Sequence, residues 1–496
     1  MRHRGGVMHH GQHRRHLCTR SLALASLLGL AAIGCQSTGN GLETGGRGHP
    51  LLRNEKIVIA GPTITTKVPQ AQTHFEAGLR SYFEGNRNAA VGFFQAASEF
   101  DAGCAMCFWG IALASAPPPG APDDAAAIGR AATAIDRARK LGPIITEPER
   151  GYIEAMVLRV TPAGGSDPDS RLRSYTRAMQ ALASRYPGDV DAMTLAAEAM
   201  LATQGAPEPP TKGVSAGPAE SGDAIQALRG VLAIDPNHPG AMRHYNNAVR
   251  RTLMAKWQSA MMAGQEAQAM AAAHEIKKAL SDDAMREDPD LQGAATAEVF
   301  TLVRFGRWKE ILQQPAPRND LPYVAGMWYY SRGLAFTRLA QFLDVPPEQA
   351  ELEEATARVP VDQTVLGTVN ARRQLEIASF VLDAEIEHMR AHRENAIKQI
   401  REAVRIEDSL GATKPSAFYV PARQVCGAIL LWNDRPREAE QVFREDLERN
   451  PENGWALLGL AQSLQAQKRT VEAAEAKARA QRAHGQADVR PPTSVF

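Results

Sequence analysis

The sequence has few of the features that mark enzymes or disulfide-rich proteins. Its 496 residues include five cysteines, which are too few for a framework of disulfides. It contains no His-Glu-x-x-His, no Gly-x-Ser-x-Gly and no glycine-rich phosphate loop, so no familiar catalytic motif can be placed on it. Segments in which apolar and polar residues alternate, as in half-buried strands, are also scarce. We therefore expect an all-α protein that is not an enzyme and holds no cofactor.

An excess of one charge and long apolar runs are also missing. The 56 basic residues are nearly balanced by 55 acidic ones, so nothing in the composition favours binding to nucleic acid. Beyond residue 34, no apolar run is long enough to cross a membrane. We expect the body of the protein to be soluble.

The first 34 residues have the layout of an export signal. Residues 1–20 carry five arginines and no acidic residue, and residues 21–34 are apolar or small, which is the order found in signal peptides. The sequence Ala-Ile-Gly-Cys at 32–35 resembles the lipobox of bacterial lipoproteins. This resemblance implies that Cys35 becomes a diacylated, palmitate-bearing N-terminus that anchors the chain to a membrane. The alternative is an ordinary cleaved signal that releases a free secreted protein.

The residue after the lipobox bears on the choice of membrane. Gln36 stands where an Asp often marks retention in the inner membrane. The lipoprotein resemblance therefore favours the outer membrane, with the protein facing the periplasm or the cell surface.

Small and apolar residues recur with a period of 34 residues near the C-terminus. The first unit contains Gly427, Leu430 and Ala439, and the second contains Ala461, Leu464 and Ala473. This period, with a proline after the second helix, is the tetratricopeptide-repeat (TPR) pattern of two-helix hairpins. Similar spacings begin at Gly78, Ala224 and Ala396. The sequence therefore predicts a TPR-like helical-hairpin superhelix, an α-solenoid with irregular insertions.

Composition and periodicity divide the chain into six segments. We predict a signal peptide over 1–34, a lipid-anchored tether over 35–70, an N-terminal TPR-like helical block over 71–203, a linker rich in proline and glycine over 204–221, a C-terminal TPR-like helical block over 222–485 and a tail over 486–496. The linker interrupts two long helical patterns with several prolines and glycines, which is why the boundary between the blocks is placed there.

Longer stretches resemble a family of exported bacterial TPR proteins of poorly defined function that carries a CAMCxWG-type motif. The matching stretches are 101–112, 146–156, 186–200, 235–248, 301–317 and 439–460. The resemblance implies the fold and export more than any activity. The family usually has a histidine-rich middle, whereas this chain has Asn247 at one of those positions and keeps only His238 and His244 there. A metal function that depends on those histidines is therefore not expected.

A Cys-x-x-Cys pair lies at the junction of the first two repeats. Cys104 and Cys107 fall near the start of a predicted helix, where the helix dipole favours a thiolate, and Met106 between them adds a soft donor. Three interpretations remain open: a structural disulfide or packing thiols, a site for a soft metal such as copper(I), and a redox-active dithiol. A closed zinc site would need four ligands, and covalent haem would need a histidine where Phe108 stands.

A second candidate for metal binding is a pair of histidines near residue 390. His388 and His392 have the i, i+4 spacing of a chelating pair on a helix, with Glu385 one turn earlier. The charged residues around them indicate a solvated helix face. We expect no metal there.

The first helices of TPR hairpins line a concave surface that binds extended peptides or partner helices. On the 34-residue template, the side chains expected to face this surface are Gln72, Phe75, Leu79, Tyr82, Met106, Trp109, Leu113, Trp455 and Leu458. Aromatic and methionine side chains at such positions suit an apolar anchor pocket. The alternative is that insertions or terminal helices fill the groove.

These observations lead to two hypotheses from different classes. The first is an exported, membrane-tethered TPR scaffold that binds a partner protein or peptide on its concave face, without catalysis. The second is a metal- or redox-handling protein that acts through Cys104, Met106 and Cys107.

Overall fold

The described part of the chain begins inside the predicted tether. The computed structural model describes residues 63–141, 145–165, 167–203, 219–367, 369–411, 418–489 and 493–495, and all of them belong to one unit, Lys56–Phe496. The predicted signal peptide, Cys35 and most of the predicted linker lie outside the described residues.

Helices make up most of the described N-terminal part. They are α1 (Pro69–Phe83), α2 (Arg87–Phe100), α3 (Ala105–Ser115), α4 (Ala125–Lys140), α5 (Glu147–Val160), α6 (Pro168–Arg185), α7 (Val190–Thr203), α8 (Ala219–Ile234) and α9 (Pro239–Ala263). A 3-10 turn, Pro162–Gly164, lies between α5 and α6.

The C-terminal part is also helical, and the prediction of an all-α fold is confirmed. Its helices are α10 (Glu266–Lys278), α11 (Asp282–Glu287), α12 (Gln292–Ala295), α13 (Ala297–Arg304), α14 (Trp308–Gln313), α15 (Pro322–Arg338), α16 (Val345–Arg358), α17 (Ala371–Met389), α18 (Arg393–Ser409), α19 (Ala422–Trp432), α20 (Pro436–Arg449), α21 (Gly454–Ala466) and α22 (Thr470–Ala483). A short antiparallel ribbon of β1 (Thr364–Val365) and β2 (Val369–Asn370) joins α16 to α17.

Several helices begin where the sequence supplies a cap or a proline. The Asn86 side chain accepts a hydrogen bond from the first turn of α2, and Thr146 and Glu149 form a capping box at the start of α5. Pro69 and Pro436 occupy the first positions of α1 and α20, where the missing N–H costs nothing. Local sequence therefore fixes where these helices start.

The turns inside two of the hairpins contain a residue in the left-handed region. Gly85, between α1 and α2, has a φ of 94°, and Asp434, between α19 and α20, has a φ of 61°. Glycine adopts this conformation without strain, and aspartate is among the side chains that tolerate it. The sharp turns let α2 and α20 run back along α1 and α19.

One phenylalanine fills the space between the first two hairpins. The ring of Phe94 in α2 packs against Gly78 of α1 and Gly110 of α3, and a Cβ added at Gly78 would lie 2.8 Å from it. A Cβ at Gly110 would also overlap the ring. Small residues are therefore required where these helices cross.

The same arrangement occurs near the C-terminus. Phe443 of α20 packs between Gly427 of α19 and Gly459 of α21, and a Cβ at either glycine would overlap its ring. Because this packing recurs at both ends of the described array, the prediction of TPR-like helical hairpins is confirmed.

The buried side chains form two main cores joined by a small cluster. The N-terminal core includes residues from 64 to 199, and the C-terminal core includes residues from 254 to 495. The small cluster, which joins α7, α8 and α9, consists of Ala197, Leu228, Val231 and Ala241. The boundary of the C-terminal core therefore lies within α9. The two helices that flank the predicted linker, α7 and α8, pack against each other.

Both blocks close on α9. Phe83, at the end of α1, lies edge-on to His238, the N-cap residue of α9, with ring centroids 4.7 Å apart. Near the other end of α9, the indole N–H of Trp455 in α21 donates a hydrogen bond to the Met261 carbonyl oxygen at 3.0 Å. The long helix α9 is therefore shared by the first hairpin and the last.

Part of the predicted tail packs against the hairpins. The Asp488 carboxylate accepts hydrogen bonds from the backbone N–H groups of Glu266 and Ala267 at 2.6 and 2.9 Å. It therefore caps the N-terminus of α10. Ser494 and Val495 are buried.

Candidate functional site

The two cysteines of the Cys-x-x-Cys pair are joined by a disulfide. Cys104 is the N-cap residue of α3, and both Cys104 and Cys107 are fully buried in the N-terminal core. Met106 is buried beside them, and His74 packs against Phe100 with ring centroids 4.9 Å apart. Of the three interpretations, the structure contains the disulfide, and neither sulfur is accessible to a metal or to another thiol.

The histidine pair of α17 does not form a chelate. Because α17 ends at Met389, His388 and His392 do not stand on one helix. His388 stacks on Trp432 at 4.8 Å, and His392 Nδ1 lies 3.0 Å from a carboxylate oxygen of Glu387. Within the described residues, no group of three or more His, Cys, Asp or Glu side chains is placed to hold a metal ion.

The predicted groove residues of the first two hairpins lie mostly in the interior. Phe75, Leu79, Tyr82, Met106, Trp109 and Leu113 are buried, and Gln72 keeps part of its surface exposed. The indole N–H of Trp109, for example, donates to the Tyr152 carbonyl oxygen in α5 at 3.1 Å. These side chains pack against neighbouring helices of the array. The Phe75 ring lies 5.5 Å from that of Phe94 and 6.4 Å from that of Trp109, and the Trp109 ring lies 5.0 Å from that of Tyr152. Contact with a partner there stays a prediction, and it would require the hairpins to separate.

A polar network joins four helices of the N-terminal block. The Tyr82 hydroxyl donates to a carboxylate oxygen of Glu198 at 3.0 Å. Arg159 is buried, lies over the Tyr175 ring at 5.1 Å and donates to the Pro117 carbonyl oxygen. Burial, with help from the Glu198 charge, raises the pKa of Tyr82. The network is therefore a set of internal contacts that fastens α1, α5, α6 and α7 together.

The inner face of the C-terminal block is also filled. Trp455 is buried and Leu458 is partly exposed. Phe418 and Tyr419, which precede α19, pack their rings on Phe300 of α13 at 5.5 and 5.3 Å. Phe418 and Tyr419 therefore pack in the C-terminal core, as the alternative to an open groove expects of an insertion.

A buried arginine lies beside Trp455. The Arg304 guanidinium, at the end of α13, is 3.7 Å from the centroid of the Trp455 ring. Its side chain lines a small pocket together with Gln258, Met261, Met262, Tyr419, Pro421 and Asn450. Sequence reasoning missed Arg304, because arginine is mostly exposed in proteins and no motif marks this one.

A larger cleft lies over α17, between α16 and α18. It has a volume of about 300 Å³ and is lined by Gln349, Asp383, Ile386, Glu387, Arg390, Asn395, Lys398 and Gln399. This volume is at the lower end of the range of ligand pockets. Sequence reasoning missed this cleft too, since its lining residues look like those of any solvated helix face.

Hydrogen bonds order the acidic side of this cleft. The Gln349 amide donates to a carboxylate oxygen of Asp383 at 2.8 Å, and burial raises the pKa of Asp383. The Asn395 amide donates to Glu387 at 2.9 Å, and this bond holds the pKa of Glu387 below its usual value. Lys398 also lines the cleft and is exposed. The cleft therefore presents charges of both signs, and hydrogen bonds hold its two carboxylates.

The described helices give no sign of a membrane span. None of those in the described ranges combines the length and the apolar character needed to cross a bilayer.

Comparison with known proteins gives structural matches but no family. No protein-family model matches the chain, and no curated protein matches it. Among solved structures, it is similar to the TPR domain of P58(IPK), with 13% identity and a TM-score of 0.19 over 85% of this chain and 99% of that one. It is also similar to yeast Tom70, with 12% identity and a TM-score of 0.31 over 85% and 97% of the two chains. A third match is the Cut9–Hcn1 hetero-tetramer of the APC/C, with 11% identity and a TM-score of 0.27 over 84% and 76%. These TM-scores are too low to add to the fold assignment, which rests on the hairpin packing.

Proposed function

We propose that this protein is an exported, membrane-tethered helical-repeat scaffold that binds a partner protein without catalysis, and that the partner docks at the cleft over α17. The observation that carries the proposal is the contrast between the two surfaces. Most of the residues predicted to line the concave face are buried, whereas the cleft between α16 and α18 is lined by charged residues, of which hydrogen bonds hold the two carboxylates.

The chemistry of the cleft fits a partner with charges of both signs. Asp383 and Glu387 lie one helical turn apart on α17, and Lys398 lines the same cleft from α18. Complementary charges speed association and select the partner. Because Gln349 and Asn395 already hold the two carboxylates in place, little side-chain entropy remains to be lost on binding.

Photo-crosslinking tests this assignment. A photoreactive amino acid at Gln399, which lines the cleft, should capture a partner from the native membrane fraction, whereas one at Val471, which is 72% exposed and lies on α22, should not. Lys398→Glu should reduce the capture by about tenfold, since it replaces the positive charge of the cleft with a third negative charge beside Asp383 and Glu387. The matched control Lys477→Glu, on the exposed face of α22, should leave the capture unchanged. Equal capture from both positions, or equal effects of both lysine variants, would remove the cleft from the proposal.

The membrane anchor is tested separately. Cys35 lies outside the described residues, and its role rests on the lipobox-like sequence at 32–35. We expect labelled palmitate to be incorporated into the wild-type protein and into Cys18→Ser, but not into Cys35→Ser. Two or more acyl chains anchor a protein stably to a membrane. Since Cys35→Ser would carry none of the chains proposed for this position, the variant should also appear in the soluble fraction. Label in Cys35→Ser would show that the anchor is elsewhere.

A further inference from the structure

The pocket beside Arg304 has an unusual charge balance. Arg304 is 3% exposed, and its Nη1 atom has no hydrogen-bond partner in the part of the chain that the structure describes. No ion pair among the described residues includes this guanidinium. A buried cation without a close counter-charge is strongly unfavourable, and proteins normally pair it or neutralise it.

Among the described residues, the carboxylate that acts on Arg304 is that of Asp446, and it is already engaged. Asp446 accepts hydrogen bonds from the Gln424 amide at 3.1 Å and the Asn450 amide at 3.3 Å. It is itself buried, and burial raises its pKa. Burial also lowers the pKa of Arg304 to about 9, with Asp446 opposing the shift. Among the described residues, the positive charge of Arg304 is therefore balanced without a direct ion pair.

The pocket supplies space next to this charge. Its volume is about 20 Å³, which is enough for one water molecule or one ion of similar size. The side chains of Gln258 and Asn450 border it. The Asn450 amide donates one N–H group to Asp446, and an amide carries a second N–H group that can donate to an anion. Met261 and Met262 border it as well, and their apolar surfaces limit competition from bulk water.

We propose that this pocket is a binding site for one small monovalent anion, held by the Arg304 guanidinium. The anion is either a free halide-sized ion or the oxygen of a carboxylate that enters from the pocket mouth. Both supply a single negative charge in direct contact with Arg304, and the size of the pocket excludes larger anions. This site is independent of the partner cleft over α17.

Two measurements on the full mature protein test the proposal. In crystals grown or soaked with sodium bromide, anomalous scattering should place a bromide beside Arg304 Nη1. In solution, replacement of isethionate by chloride at constant ionic strength should raise the melting temperature by about 2 °C, because a ligand that binds only the folded state stabilises it. A parallel series with acetate separates the two sources: a rise with acetate that equals or exceeds the chloride rise assigns the site to carboxylates.

A matched variant isolates the arginine. Arg304→Met should abolish the anion-dependent rise. Arg332→Met should keep it, because Arg332 also lies over an indole ring, that of Trp328 at 4.6 Å, but already pairs with Glu348 at 2.9 Å. If Arg304→Met does not fold, the bromide measurement on the wild type still decides. No bromide in the pocket together with no rise of the melting temperature in chloride or acetate, or the same anion response in the wild type and a folded Arg304→Met, would overturn the proposal.

Discussion

The indole N–H of Trp455 donates a hydrogen bond to the backbone carbonyl oxygen of Met261, 3.0 Å away and 194 residues earlier in the chain. This bond joins the last described hairpin to the C-terminal end of α9, and the Phe83–His238 contact joins the first hairpin to its N-terminal end. A solenoid with free ends has neither contact. The closure on α9 is therefore the feature that separates this array from an open superhelix with an accessible groove.

Loss of the Trp455 hydrogen bond should weaken this closure. Trp455→Phe keeps an aromatic ring under Arg304 but leaves the buried Met261 carbonyl without this donor, so we expect the free energy of unfolding to fall by about 1–3 kcal/mol. Urea unfolding, followed by far-UV circular dichroism, measures the change.

Another tryptophan provides the control for this prediction. The Trp328 Nε1 atom is buried and has no hydrogen-bond partner among the described residues, so Trp328→Phe removes ring area but none of the described hydrogen bonds. It should destabilise the protein less than Trp455→Phe. Equal losses from the two variants would mean that ring size, and not the bond to α9, accounts for the effect.

Substitution of a repeat glycine should be costly where two hairpins meet. At Gly459, a Cβ would overlap the Phe443 ring, so Gly459→Ala should lower the free energy of unfolding by about 1–3 kcal/mol through overpacking. Gly129, in the middle of α4, has open space around its Cα, and Gly129→Ala should raise stability by about 0.5–1 kcal/mol through better helix propensity. Thermal unfolding of the two variants should give shifts of opposite sign. If both shifts had the same sign, steric overlap at Phe443 would not explain the first.

The sequence was enough to predict these hairpins but not their closure. The spacing of Gly78, Phe94 and Gly110 reports contacts between helices that are adjacent along the chain, and such local patterns are visible in one sequence. The meeting of Phe83 and His238 depends on the small rotation between successive hairpins, summed over four of them, and no local pattern encodes that sum. The residues predicted to line a groove are buried for a different reason, because Phe75 packs on Trp109 and Trp109 packs on Tyr152 of α5. The cleft over α17 was missed for a related reason, since three helices must be placed before its lining residues come together.

The Cys104–Cys107 disulfide should contribute to stability and not to binding. It closes a very short loop, for which the chain-entropy model gives a contribution of about 2 kcal/mol. The double variant Cys104→Ala/Cys107→Ala should lose at least this much in free energy of unfolding, while crosslinking of the partner through position 399 stays unchanged. Cys426→Ala is the control, because Cys426 is buried but free, so it reports the loss of sulfur volume without a crosslink. Loss of a bound metal from the double variant, detected by elemental analysis, would revive the metal-site interpretation.

The His388 ring should make the protein sensitive to acid. It stacks on Trp432 at 4.8 Å, and its Nδ1 atom is buried with no hydrogen-bond partner within the described ranges. Burial lowers the pKa of His388, with Glu385 opposing and Arg338 assisting the shift. The folded state therefore resists protonation, whereas the unfolded chain takes up the proton near pH 6.5.

The sign of the pH dependence follows from this difference. Below about pH 6.5 the unfolded state binds more protons than the folded state, so the free energy of unfolding decreases as the pH falls, until the folded state is protonated too. His388→Asn and His388→Gln remove the titrating group, and both should reduce the loss of stability between pH 7 and pH 5, by at most about 1.4 kcal/mol per pH unit. Denaturant titrations at pH 7, 6 and 5 measure the slopes. Since Asn and Gln place their amides near different ring nitrogens, agreement between the two variants would assign the slope to proton uptake. Curves for both variants that run parallel to the wild type would show that His388 does not contribute to the acid sensitivity.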